Sequence, residues 1–222
     1  MVGSGIIVLK IYRMKNYLLA FYLLIIGLVL NAQTINTVKI DSFLTSLEKN
    51  SKAFGSLAIS KNGTILYSRA IGYSKIDGGF KIQSDISTKY RIGSITKMFT
   101  TVLVFNLIEE NKLKLTTKLS AFYPKIKNAN KITIADLLNH RSGIHNFTND
   151  SSYFSWLTQP KTHTEMIDII KKGGSDFEPN TKSEYSNSNF VLLGYIIETL
   201  CKKDYAQLVN EKIAKKIGLE NT

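Results

Sequence analysis

The chain has little cysteine, little proline and little arginine, and each shortage removes a class of function. One cysteine in 222 residues, Cys201, leaves no internal disulfide framework and no multi-cysteine metal site. Three prolines and fourteen glycines are too few for a Pro/Gly-rich linker array, and no repeat of 20–50 residues is visible. The formal charge of +12 invites a nucleic-acid partner, but only four of the 29 cations are arginine, the residue that forks onto phosphates. A solvated, lysine-rich surface is the reading adopted, without a nucleic-acid partner. With 44% hydrophobic and 21% charged residues the composition is globular, which excludes a disordered, collagen-like or multi-span membrane chain.

The one long charge-free run lies near the start. Lys10, Arg13 and Lys15 precede Tyr17–Leu30, 14 residues of only Leu, Ile, Val, Ala, Gly, Phe and Tyr. A basic segment followed by an apolar stretch below the ~20 residues needed to cross a bilayer is the pattern of a signal peptide. Residues 1–32 are assigned to it, with cleavage after Ala32 and Met14 as an alternative start. An uncleaved N-terminal anchor is the competing reading, and the only membrane attachment the sequence offers. Either way the remainder, residues 33–222, faces outside the cytoplasm, as a periplasmic or secreted protein. Residues 1–32 hold three cations and no anion, so the exported part still carries +9, a long-range attraction to anionic envelope polymers that salt screens.

In the exported part, Ile40, Phe43, Leu44 and Leu47 recur at helical spacing. SLAIS, Lys61-Asn62-Gly63 and TILYSRAIGYS read as strand, tight turn and strand, since Asn-Gly supplies the positive φ of a hairpin. Asp77-Gly78-Gly79 is taken to end that unit. ITKMFTTVLVFNLIEEN is apolar nearly all round, which predicts a helix buried in the middle of the domain and starting near Ser94. Thr133 is placed as the cap of a short helix over TIADLLNH, Asn146–Pro160 as irregular, and three further helices over THTEMIDIIKK, FVLLGYIIETLCKK and YAQLVNEKIAKKIG. The last is closed by Gly218. The outline is α+β and helix-rich, with an incomplete antiparallel sheet, because two strands alone are marginal.

Ser94 and Lys97, three apart on a helix, share a face with Cβ atoms about 5–6 Å apart. A serine in a first turn sits in the positive field of the helix N-terminus, and a desolvated lysine beside it can exchange protons. Spacing alone is weak, since Ser46 and Lys49 repeat it on the polar face of the first helix. The ordinary alternative for Ser94 and Lys97 is a helix cap with a structural lysine. Tyr185-Ser186-Asn187 is the only Tyr-x-Asn, set between a turn-like Glu178-Pro179-Asn180 and an apolar helix. For Tyr185 to act as a base near neutral pH, its ordinary value near ~10 must fall, at roughly 4 kcal/mol. A cation ~4 Å away supplies that only if the site is partly dry.

GSITKMFT, LLNHRSGI, FEPNTKSEYSNSNFVLLGYIIE and KKIGLENT, in that order, together with the hairpin SLAISKNGTILYSRAIGYSK, resemble the serine β-lactamase-related family. That family includes class C β-lactamases, penicillin-binding D-Ala-D-Ala peptidases and esterases, and Ser-x-x-Lys is its nucleophile motif. The resemblance covers roughly Phe43–Thr222 and implies a β-lactamase/penicillin-binding-protein-like (DD-peptidase-like) fold. It also implies that Ser94 is the acyl-accepting nucleophile, Lys97 its proton-exchanging partner, Tyr185 the general base and Asn187 a substrate-binding residue. No metal or cofactor is implied, and the substrate would be a small-molecule or peptidoglycan-derived acyl compound. His140 matches a structural position, and His145 and His163 receive no role. Arg141 stands where the family more often has a small polar residue, and Asn180 where it usually has glycine.

The family's third motif, Lys-Thr-Gly or His-x-Gly, occurs nowhere in the chain; Lys216-Ile217-Gly218 has only its outline, at a helix end. Residues 33–222 are therefore read as an N-terminal portion of the fold. In the family that motif's strand also supplies the second oxyanion donor, worth about 10²–10³ in rate. The expectation is a serine acyl-transfer hydrolase of the cell envelope (D-peptidase, esterase or β-lactam hydrolase) that is poorly soluble or nearly inactive as written. The alternative is a catalytically silent envelope-binding module.

Overall fold

The structure is a computed structural model, and residues 35–221 are described. The signal-peptide assignment, its cleavage after Ala32 and the alternative start at Met14 lie outside the described residues. No helix among the described residues is long and apolar enough to cross a membrane. The chain divides into two compact units, one ending at Lys89 and the other beginning at Tyr90.

In the first unit, helix α1 (Thr37–Lys49) is opened by Asn36, whose side chain accepts from the Lys39 N–H at 3.0 Å. Strands β1 (Gly55–Lys61) and β2 (Thr64–Ile71) pair antiparallel from Gly55↔Ile71 to Lys61↔Thr64. Asn62 and Gly63 both take positive φ, as the two-residue turn requires. Asp77-Gly78-Gly79 does not end the unit. It turns β3 (Tyr73–Asp77) into β4 (Phe80–Gln83), making a second two-stranded antiparallel sheet.

The helix is tied to the first hairpin by polar contacts. Arg69 donates to Asp41 Oδ1 at 3.0 Å and to Thr45 Oγ1 at 3.0 Å, and Tyr67 donates to Asp41 at 2.7 Å. Of the predicted apolar stripe only Leu44 is fully buried, and Phe43 is exposed; Ser46 and Lys49 lie on the surface, as read. Leu57, Ile65, Leu66, Ile76, Phe80 and Ile82 of the four strands are also exposed. Little apolar burial holds these hairpins, so they depend on their ladders and on α1.

The second unit is helical: α2 (Thr96–Glu109), α3 (Ile134–Leu138), α4 (Tyr153–Trp156), α5 (His163–Gly173), α6 (Asn187–Cys201), α7 (Tyr205–Val209) and α8 (Lys215–Ile217). A π-turn over Asn210–Ala214 joins α7 to α8, and Gly218 closes α8 at φ 72°. Helices α2 and α6 pack on each other around Leu103, Val104, Leu107, Leu192, Leu193 and Ile196, all buried. Thr133 caps α3 through a reciprocal pair with Asp136, whose carboxylate accepts from the Thr133 N–H at 2.8 Å. Asn146–Pro160 is less irregular than predicted, holding a 3₁₀ turn at Phe147–Asn149 and the short α4.

Helix α2 is not enclosed as its composition predicts. Thr100, Leu103, Val104 and Leu107 form its buried face, whereas Met98, Val102 and Phe105 are exposed. An all-round apolar sequence has no period from which to tell the covered face from the open one. Cys201 is half-buried at the end of α6.

Candidate active site

Ser94 lies in a 3₁₀ turn, Gly93–Ile95, that runs straight into α2. Gly93 sits at φ 54° with nothing within 4 Å of a Cβ there, so the glycine serves the backbone conformation and not a close packing contact. One turn on, Lys97 Nζ donates to Ser94 Oγ at 3.1 Å and to Asn187 Oδ1 at 2.8 Å. From the loop before α6, the Tyr185 hydroxyl stands 2.6 Å from Ser94 Oγ. The four residues predicted from sequence thus meet, with the serine oxygen between phenol and amine. Lys97 also faces the rings of Tyr185 and Phe190, 4.8 and 5.4 Å from their centroids.

Two loops hold these side chains. His140, at φ 55°, accepts the Ser186 N–H on Nδ1 at 3.2 Å and packs its ring on Tyr185 at 4.6 Å between centroids. Its structural reading fits that geometry. Burial, and then the Lys97 charge, lower the His140 pKa, which favours the neutral ring that an accepting Nδ1 requires. Arg141 and Asn180, the two departures from the family pattern, touch each other: the Asn180 N–H donates to the Arg141 carbonyl at 2.9 Å, and the Arg141 guanidinium donates to the Asn180 carbonyl. Asn180 takes φ 68°, a conformation asparagine tolerates in place of glycine.

Asn187 is pinned from a segment whose polar residues went unremarked in the sequence. Its backbone N–H donates to Asn146 Oδ1 at 3.0 Å and its side-chain amide to Thr148 Oγ1 at 3.0 Å. The only local signal was polar Asn146 and Thr148 flanking a buried Phe147 just after HRSGI.

Burial by itself raises the Tyr185 pKa, but hydrogen bonds to Lys97 and Ser94 and the Lys97 charge outweigh it, so the phenol titrates below its usual value. The dry setting expected around it is not found among the described residues. Tyr185 is 48% exposed and Ser94 is exposed, so solvent weakens the Lys97 field there.

A cavity of about 500 Å³ opens from Ser94, Lys97 and Asn187 toward Phe147, Tyr153 and Tyr195. Trp156 and Phe154 do not line it. Trp156 stacks on Phe147, and Phe154 is 77% exposed. Among the described residues no group of three or more His, Cys, Asp or Glu side chains is arranged to hold a metal ion.

The profile of the beta-lactamase family matches residues 44–222. The chain belongs to the beta-lactamase family. A teichoic acid D-alanine hydrolase of Staphylococcus aureus is 30% identical over 194 residues, which is 87% of this chain and 46% of that protein. The chain therefore spans about half the length of the curated relatives it matches. The octameric penicillin-binding protein homologue of Pyrococcus abyssi superposes with a TM-score of 0.70 at 26% identity, over 84% of this chain and 44% of that one. The D-amino acid amidase of Ochrobactrum anthropi SV3 with D-phenylalanine does so with a TM-score of 0.67 at 24% identity, over 83% and 54%, a likeness of fold alone. The fold is that of beta-lactamases and penicillin-binding proteins, helix-rich with small antiparallel sheets, as the sequence resemblance implied.

Proposed function

We propose that the chain carries the acylation centre of a serine hydrolase of the cell envelope that acts on D-aminoacyl esters or amides, without metal or cofactor. The observation that carries this reading is the Ser94 oxygen held 2.6 Å from the Tyr185 hydroxyl and 3.1 Å from the Lys97 amine. An alcohol is a poor nucleophile until a base takes its proton. Ser94 Oγ attacks the carbonyl while its proton passes to the Tyr185 oxygen, whose anionic form Lys97 stabilises. Tyr185 then protonates the departing alcohol or amine, leaving an acyl-Ser94 ester. Water attacks that ester, delivering a proton to Tyr185, which returns it to Ser94. Asn187 keeps Lys97 in reach and turns its amide toward Thr148 in the cavity lining.

The D-aminoacyl preference rests on the relative named for removing D-alanine from teichoic acid. Teichoic acids are anionic polymers, and the net charge of +9 on residues 33–222 suits approach to them, as does a periplasmic or secreted location. A binding module without turnover is the second reading, favoured by the exposure of Ser94 and Tyr185, where solvent weakens the Lys97 field that activation needs.

Labelling with a fluorophosphonate and a fluorescent penicillin separates the two. A stoichiometric adduct that Ser94→Ala abolishes supports the hydrolase. No adduct on folded protein supports the binding module.

A further inference from the structure

We propose that His145, held as an imidazolium between Asp150 and Asp176, is a positioning residue that fixes the Asn146–Thr148 turn against Asn187, so that the site loosens as pH rises through the His145 titration. The inference rests on the reading of Asn187 as a site residue.

Both ring nitrogens face carboxylates: Nδ1 lies 2.9 Å from Asp176 Oδ1 and Nε2 3.1 Å from Asp150 Oδ1. A neutral imidazole has one N–H and can donate to only one of them, whereas the cation donates to both. The remaining surroundings favour the cation. The ring lies over Gly173 in the last turn of α5, where a Cβ would come within 3.0 Å of it, and the His145 N–H donates to the Gly174 carbonyl at 3.2 Å. That is the negative end of an 11-residue helix. Ser186 and Ser188, which donate to the His145 carbonyl, are uncharged, and Lys171 and Lys172 of the same α5 turn are exposed, where water screens them. Burial pulls the His145 pKa down, but the hydrogen bonds to Asp176 and Asp150 and their charges outweigh it and leave it raised.

The clamp bears on the site through short links. Asp176 is anchored by its N–H to the Gly143 carbonyl at 2.9 Å, and Asp150 follows the 3₁₀ turn that carries Thr148. Between them, Asn146 and Thr148 hold Asn187, which in turn accepts from Lys97. Because the folded value lies above the unfolded one, the clamp is complete below the ordinary histidine value of ~6.5 and is lost as pH rises through the folded value.

The test is an NMR titration of the full chain that follows the His145 Cε1–H and the Asn187 side-chain amide, with phosphonylation of Ser94 by a fluorophosphonate measured over the same pH range. The inference requires one shared midpoint above ~6.5, a joint downward move of both midpoints in Asp176→Asn, no Asn187 titration in His145→Gln, and a fall of about 10-fold in the phosphonylation rate across the transition. An Asn187 amide that ignores the His145 titration, or a His145 midpoint at or below the ordinary value, overturns it. If Ser94 is not phosphonylated at any pH, the proposed hydrolase fails, while the coupling of the two resonances still decides this inference. Failure of His145→Gln to fold leaves the wild-type and Asp176→Asn titrations to decide it.

Discussion

Replacing Tyr185 by phenylalanine removes one oxygen and leaves nearly everything else. The ring keeps its packing on His140, 4.6 Å between centroids, and because the residue is 48% exposed no buried partner is orphaned. Stability should stay within the ±0.5 kcal/mol typical of surface changes. What is lost is the 2.6 Å contact to Ser94 Oγ, and with it the group assigned to take the serine proton. General-base catalysis contributes about 10²–10⁴-fold, which is roughly 3–5 kcal/mol of barrier. Single-turnover phosphonylation of Ser94 by a fluorophosphonate, with loss of fluoride, followed by intact mass with the unfolding midpoint measured in parallel, should therefore slow by at least 10² at unchanged stability. Lys97, 3.1 Å from the same oxygen, is the rival base. A drop of 10-fold or less in Tyr185→Phe, with Lys97→Met inert, would transfer the role to Lys97 and refute the assignment.

Three further outcomes follow from the geometry. Lys97→Met should move the Tyr185 titration back up toward the ordinary tyrosine value, read by phenolate absorbance against a Tyr185→Phe blank, since Lys97 is the cation that lowers it; no movement would show that the lysine field does not reach the phenol. Thr133→Ala removes the α3 cap and should cost about 0.5–2 kcal/mol in chemical denaturation, with Asp136→Asn costing less because the threonine hydroxyl still caps. Gly143→Ala should destabilise by more than about 2 kcal/mol, because Gly143 takes φ 74° and a Cβ there would meet the Phe177 carbonyl oxygen at 2.0 Å; an unchanged unfolding midpoint would mean that the loop beside the site is free to shift.

The parts of this molecule legible in its sequence are those fixed by local chemistry. The Ser94–Lys97 spacing, the Asn62-Gly63 turn, the Thr133 cap and the Gly218 stop each follow from a few adjacent residues, and each is found. The second hairpin was missed because YSKID and FKIQ are short and weakly alternating, so Asp77-Gly78-Gly79 looked like an end instead of a turn. The open face of α2 was invisible because burial is decided by what packs on a helix, and its sequence is apolar on every side. Asn146, Thr148 and His145 went unassigned since their roles depend on partners 31–41 positions away, which no local pattern records. The contact between Arg141 and Asn180 is of the same kind: two separate departures from a family pattern form one pair only in three dimensions.

The most direct measurement is peptide mapping by mass spectrometry after the full chain is mixed with a D-alanyl ester and quenched in acid. The account predicts a D-alanyl group on the peptide that contains Ser94, absent in Ser94→Ala and strongly reduced in Tyr185→Phe. A D-alanyl group on another residue, or none on correctly folded protein that binds the ester, would contradict it.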